Sequence, residues 1–388
     1  MSRIPTLAIL PDFLEEEWPS MVICAEMLTR NLQAGFSDTV HAVEYCPPWR
    51  SVFRRMPVIG RKRVAFTLDR MLNRYVRYPQ RLQPVANADF FHIVDHSYAH
   101  LVHALPADRT GVACWDLNAF TCILEPRKEP RGKLHRKLAT RLLNGLSKAA
   151  CVFYASDSVR DQMMRHGILD PQRLLKAPLG VAEEYTPEPG PGFIVSRDRH
   201  VDGPYILHVG SCDPRKRIEI FLEVTGRLCQ QFPDLKVVKV GGQFTPQHTK
   251  IIEQFNLAPR LVHRHNLPRS EVAHLYRHAT ATLMTSDNEG FGIPVIEALA
   301  CASPVVISDM PVFREVGGDA AIYCPIGDVA AWVNTLERVM TDRQFGPDRN
   351  TRLARAARFT WHEHARAIWS GYERLLSARS PASDGAVR

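Results

Sequence analysis

Short apolar runs alternate along this chain with longer amphipathic segments. Leu7–Leu10, Asp38–Val43, Phe90–Val94, Thr110–Cys114, Cys151–Ala155 and Leu174–Ala177 read as strands, most of them apolar enough to be buried on both faces. Between them, helical spacing predicts a helix from a Ser20 cap to about Leu32, then helices over Val64–Val76, Ala99–Leu105 and Leu134–Ser147. A further helix, capped by Ser156 or Ser158, runs to Arg165. The loop Pro11–Pro19 is acidic and irregular.

After a stretch rich in proline and glycine, Pro178 to Pro204, the pattern starts again. Strands are predicted at Tyr205–Val209, Lys236–Val240, Leu261–His263, Ala281–Thr285, Pro304–Ile307 and Ile322–Tyr323. Helices are predicted at Ile218–Gln231, Gln247–Phe255, Ser270–His278, Val295–Cys301 and Asp328–Thr341, with a long tail helix from Trp361 to Leu376. Strand–loop–helix order used twice predicts an α/β protein of two Rossmann-like domains with parallel sheets, whose ligands collect at the carboxyl ends of the strands. The expected division is residues 1–190 for the first domain, 191–360 for the second and 361–388 for a terminal helix with a frayed tail.

Composition narrows the picture. The 388 residues and 45% hydrophobic content suffice for two cores. Nine cysteines without a C-x-x-C pair favour a reducing compartment over disulfide or zinc stapling. No run approaches the roughly 18 apolar residues of a membrane span, and Leu7–Leu10 is too short for a signal peptide, so a cytoplasmic protein is expected. The net charge of +8 is uneven, because Arg50 to Arg81 holds ten Lys/Arg against one acid, Asp69. Arg70, Arg74, Arg77 and Arg81 form a stripe beside apolar Val52, Phe53, Met56, Val58 and Ile59. Such a surface suits an anionic bilayer, a phosphorylated acceptor, or plain solvation over aliphatic stems. No nucleic-acid motif accompanies it, and none is expected as a partner.

Two stretches carry candidate chemistry. After the strand ending at Val209 come Gly210, Ser211, Asp213, Pro214, Arg215, Lys216 and Arg217, a glycine and a cationic turn leading into a helix. After the strand ending at Thr285 come Asp287, Asn288, Glu289, Gly290, Phe291, Gly292, Ile293 and Pro294, then a helix carrying Glu297. Glycines allow close backbone approach, and free N–H groups at a helix start attract phosphate. Both stretches meet the same sheet edge.

The run E-G-F-G-I-P-V-I-E-A, the upstream H-V-G-S-C-D-P-R-K and V-G-G-D-A-A at Val316–Ala321 resemble the signature of the retaining GT-B glycosyltransferases of glycosyltransferase family 4. The resemblance is specific from about Tyr205 to Pro325. It implies a GT-B fold with two domains facing a cleft and the tail helix crossing back to the first. It implies an enzyme that moves a sugar from a nucleotide-diphosphate sugar, of UDP or GDP, to a hydroxyl acceptor, such as a lipid-linked or cell-envelope glycan, with no metal or other cofactor. Glu289 would face the donor sugar, and the amides of Gly290, Phe291, Gly292 and Ile293, with Gly210 and Ser211, would hold sugar hydroxyls or phosphate. Glu297 would accept from the ribose, Lys216 and Arg215 would neutralise the leaving diphosphate, and Leu267 would edge the base.

The chain departs from that pattern in three places. Pro11–Pro19 lacks the paired glycines, and Ser211 replaces a basic residue whose charge Arg215 or Arg217 could supply. Trp115 stands where histidine is common, so a base role could pass to Asp116 or His96, and Trp115 could wall a sugar ring. Readings as a weak or inactive GT-B binding protein, or as a GT-B sugar-nucleotide epimerase, stay open. Asp287–Glu289 superficially resembles a metal triplet.

Overall fold

The computed structural model describes residues 3–56, 63–190, 201–342 and 344–379. They form two compact units, Met1–Pro178 with Trp361–Arg388, and Leu179–Thr360.

The first unit is a six-stranded parallel sheet in the order β2-β1-β3-β4-β5-β6: β1 (Thr6–Leu10), β2 (His41–Glu44), β3 (Phe90–Ile93), β4 (Thr110–Cys114), β5 (Cys151–Tyr154) and β6 (Leu174–Lys176). Its helices are α1 (Pro19–Gly35), α2 (Arg63–Leu72), α3 (Tyr78–Gln80), α4 (Thr121–Leu124), α5 (Lys133–Lys148) and α6 (Asp157–Arg165). The inner strands β3, β4 and β5 are buried throughout, as their near-continuous apolar sequences require. Successive connections go to opposite sides of β1, so the sheet's switch point lies between β1 and β3.

The second unit repeats the design with the order β12-β11-β10-β7-β8-β9: β7 (Tyr205–Val209), β8 (Lys236–Val240), β9 (Leu261–Arg264), β10 (Ala281–Met284), β11 (Val305–Ser308) and β12 (Ile322–Cys324). Its helices are α7 (Ile218–Gln231), α8 (Pro246–Gln254), α9 (Arg269–His278), α10 (Ile293–Ala300), α11 (Pro311–Gly317), α12 (Val329–Thr341) and α13 (Arg349–Ala356). The switch point here is between β7 and β10, whose register pairs Ala281 with Ile206 and Thr282 with Leu207. The cationic turn after β7 and the glutamate–glycine loop after β10 therefore leave the sheet side by side.

The tail helix α14 (Trp361–Arg379) packs back onto the first unit. The Tyr372 hydroxyl donates to the Phe91 carbonyl at 2.9 Å, and His364 Nδ1 lies 3.2 Å from the Ala177 carbonyl. Gly111 makes this possible, since a Cβ there would sit 2.4 Å from the Tyr372 hydroxyl.

Several expectations are corrected. Ser20 lies inside the first turn of α1, which starts at Pro19 with no side-chain cap. Residues 179–190 pack with the second unit rather than the first. There Tyr185 lies edge-on to Tyr276 at 5.9 Å, and Arg277 donates to the Thr186 carbonyl. The expected helix Val64–Val76 is interrupted: α2 ends at Leu72 and a π-turn runs from Asn73 to Arg77. The wider turn shifts the phase of the residues beyond it, and Arg74 points inward, buried, instead of continuing a surface stripe. Val58 and Ile59 lie outside the described residues. Residues 311–317 and 349–356 form helices that no strong periodicity announced.

Candidate active site

The turn after β7 is built by backbone geometry. Gly210 has φ of 147°, a short 3-10 turn covers Pro214–Lys216, and Arg217 takes a left-handed conformation before α7. Arg217 is committed to this bend, pairing with Glu219 at 2.5 Å and with Asp287 at 3.2 Å. Ser211 is absorbed locally, its hydroxyl donating to Asp213 at 3.1 Å. Asp287, which superficially resembled a metal ligand, is bound to Arg217.

The loop after β10 is stitched to that turn. The Asp287 N–H donates to the Arg215 carbonyl at 2.9 Å, and the Thr285 hydroxyl donates to the Lys216 carbonyl at 2.9 Å. This brings Arg215 and Lys216 onto opposite oxygens of Glu289. Arg215 Nη1 lies 2.7 Å from Oε2, Lys216 Nζ bonds Oε1, and the Ser286 hydroxyl adds a third donor at 2.8 Å. Burial pushes the Glu289 pKa up, but Lys216 and Arg215 outweigh it, so the carboxyl is held below its usual range. Lys216 and Glu289 are both buried, whereas Arg215 is partly exposed.

Gly290, Phe291 and Gly292 then lead into α10. Gly292 caps the helix at φ of 102°, and a Cβ there would meet the Phe313 ring at 2.9 Å. Ile293 opens the helix and no side chain caps it; Pro294 has no N–H and the Val295 N–H turns to the Gly292 carbonyl at 2.9 Å, so the Ile293 N–H is the first-turn amide turned toward the loop. Glu297, one turn in, is buried with the Tyr276 hydroxyl donating to it at 3.2 Å. Burial raises its pKa to about 7, against the lowering effect of the Tyr185 and Tyr276 hydroxyls. Leu267 sits half-buried just after edge strand β9.

Lys239 was not foreseen. It lies on β8 and its buried ammonium donates to the carbonyls of Gly210 at 2.6 Å, Val240 at 3.0 Å and Gly241 at 2.5 Å. Burial lowers its pKa to about 8. Lys239 ties the glycine turn down from beneath. The only signal in the sequence was one lysine inside the apolar run Val237–Val240.

In the first unit, His96 and Asp116 do come together, at the carboxyl ends of β3 and β4. His96 is buried, its Nδ1 2.9 Å from Asp95 and its Nε2 3.6 Å from Asp116. Burial lowers its pKa, but Asp95 chiefly, with Asp116, more than reverses this, so His96 favours the charged form. Asp116 also caps the following turn, accepting from the Asn118 N–H at 2.9 Å. Trp115 is buried, and its indole N–H donates to the Val94 carbonyl at 2.8 Å, so little of its ring is exposed. Nearby Asp12 is buried with no hydrogen-bond donor to its carboxyl, and burial, then Asp95, raises its pKa well above the ordinary value. Glu16, in the loop expected to be irregular, is buried against Arg74.

Among the described residues, no three of His, Cys, Asp and Glu are placed to hold a metal ion.

Comparison with known proteins agrees with this layout. The model of the family described as Glycosyl transferases group 1 matches residues 195–359, the second unit. O-antigen chain mannosyltransferase B of Escherichia coli is 26% identical over 285 residues, 71% of this chain and 72% of that protein. A D-inositol 3-phosphate glycosyltransferase of Frankia alni is 30% identical over 198 residues, and there the chain spans about half the relative's length (48%). Among solved structures, sucrose-phosphate synthase from Thermosynechococcus elongatus superposes with TM-score 0.70 at 18% identity, covering 96% of this chain and 100% of that one. Anabaena HepE, solved with UDP, gives 0.65 at 15%, covering 96% and 100%. The fold is GT-B, two Rossmann-like units with the last helix returned to the first. Through its second unit the chain is related to the group 1 glycosyl transferases.

Proposed function

We propose that this protein is a retaining, metal-independent glycosyltransferase of family 4. It moves a sugar from a UDP or GDP sugar to a hydroxyl of a lipid-linked or cell-envelope glycan. The observation that carries this reading is the meeting of Lys216 and Arg215 on Glu289 beside the uncapped start of α10, at the switch point of the second sheet. When the bond between the anomeric carbon and the phosphate oxygen breaks, positive charge grows on the sugar and negative charge on the diphosphate. The cations and amides suit the second, and the ionised Glu289 suits the first. The Lys216 ammonium has three donors and gives one to Glu289, so it can bond phosphate without leaving its partner. In a front-face mechanism the departing phosphate oxygen takes the acceptor's proton as the acceptor oxygen bonds the anomeric carbon. The sugar-transfer activities for which the mannosyltransferase and inositol-phosphate relatives are named support the class of reaction.

The test is nucleotide release on incubation with UDP and GDP sugars and glycan acceptors, with the product anomer read by NMR. Release is expected with one donor, retention of configuration, and loss of turnover in Glu289→Gln. Donor binding without release, insensitive to Glu289→Gln, would mark a binding protein instead, for which the buried Trp115 speaks. Donor isomerisation without acceptor would mark an epimerase.

A further expected result concerns pH. With its raised pKa near 7, Glu297 is largely protonated in the ligand-free protein at pH 6 and ionised at pH 8. Ribose hydroxyls donate best to the ionised form, so nucleoside diphosphate affinity should rise between these pH values. The same shift makes the folded state lose stability as pH rises from the unfolded carboxyl range through 7. Titration calorimetry of Glu297→Gln should remove the rise in affinity; an unchanged pH profile would exclude the assignment.

A further inference from the structure

The acidic residue that could balance the basic segment of the first unit does not face solvent. Asp69 is fully buried on the inner side of α2. Its two carboxylate oxygens accept from the N–H groups of Val52 at 2.7 Å, Phe53 at 2.9 Å and Arg54 at 3.0 Å. It is used to fix the turn Phe53–Arg55 against α2, and Trp49 stacking on Phe66 at 5.8 Å closes the same seam. The turn and the helix are thus held together from their inner sides.

Their exposed side is apolar and cationic at once. Val64 and Leu68, one turn apart, are 58% and 39% exposed, and Met56, at the end of the turn, is 41% exposed. Arg63 and Arg70 run along the flank of the same helix, and Arg54 and Arg55 project from the turn. Among the described residues, none of these four arginines forms an ion pair. Soluble surfaces scatter single apolar side chains, but here a row of them is bordered by unbalanced charge of one sign. A helix with one apolar strip and a flank of arginines is the form that lies in a headgroup layer, apolar side chains down and guanidinium groups level with the phosphates.

We propose that the face formed by α2 and the turn Phe53–Arg55 docks the protein on a bilayer surface containing anionic lipid. A second copy of the chain is a poor occupant, because the same face would bring like charges together. The stripe through Arg74 is not part of it, since Arg74 is buried. Among the described residues no helix is long and apolar enough to cross a membrane, so the contact is peripheral. The proposal stands apart from the sugar-transfer reading and would survive its failure.

Flotation of the full chain with vesicles of phosphatidylcholine, with and without phosphatidylglycerol, tests it. Binding is expected only with phosphatidylglycerol and should weaken as salt rises. Neutralising Arg54, Arg55, Arg63 and Arg70 together as glutamines should lower partitioning by on the order of 600-fold, about fivefold per charge. Val64→Ser with Leu68→Ser should lower it as well, which simple counterion attraction would not. Five of the six side chains are exposed, Arg70 is half-buried, and none belongs to the donor site, so the melting temperature should change little and nucleotide binding not at all. Four results would each overturn the proposal: no vesicle binding, equal binding to neutral vesicles, unaltered binding by either variant, or displacement by RNA at a concentration that leaves the lipid in excess.

Discussion

Lys216→Met should lower turnover by about 10²–10³-fold while the affinity for nucleoside diphosphate changes by only a few fold. The ammonium is held at one place by Glu289 and by the bend that Thr285 fixes through the Lys216 carbonyl, so it is oriented before any ligand arrives. Charge on the bridging oxygen is greatest in the transition state, where a preset cation contributes most. In the proposed complex the ground-state diphosphate would still have Arg215 and the amides of the loop before α10. Methionine keeps the aliphatic length, and Glu289 retains Arg215 at 2.7 Å and Ser286 at 2.8 Å, so the carboxylate is not left bare. Single-turnover kinetics set beside calorimetric binding would separate the two effects, and Lys216→Met with wild-type turnover would remove Lys216 from the leaving-group role. Adding Glu289→Gln should not multiply the loss, because two groups of one ion cluster act as a unit.

What could be read beforehand followed from local sequence. Alternating strands and helices, used twice, specify parallel sheets, and parallel sheets place ligands at switch points. The glutamate–glycine loop and the cationic turn were visible because each of their residues does its work within a few positions along the chain. What escaped depends on partners far away in sequence. Lys239 looks like an interruption in an apolar strand until Gly210 and Gly241 are seen to end over it. Nothing in the sequence around Trp115 shows that its N–H bonds the Val94 carbonyl, at the end of the neighbouring strand. Arginines four apart read as one stripe only if the helix is regular, and the π-turn at Asn73–Arg77 makes it irregular.

That irregularity has a measurable consequence, because it places Arg70 and Arg74 in opposite surroundings. Arg70 is half-buried on α2 and pairs with no acid among the described residues, and Arg70→Met should change the stability of the first unit by no more than about 0.5 kcal/mol. Arg74 is nearly fully buried, with Nη1 3.2 Å from Glu16, Nη2 2.5 Å from the Ser97 carbonyl and the guanidinium carbon 4.1 Å from the centre of the Tyr98 ring. The Tyr98 hydroxyl completes the cluster by donating to Glu16 at 2.7 Å. Arg74→Met leaves Glu16 buried beside Asp12 with its counter-charge gone, and should cost about 3–5 kcal/mol. Arg74→Met with Glu16→Gln should recover part of that loss, since the doubly neutral site has no uncompensated charge. Urea unfolding of the four proteins, followed by a probe in the first unit, would decide it. If Arg74→Met proved as mild as Arg70→Met, the guanidinium would have to lie in water, and the inward turn of the chain at Asn73 would be wrong.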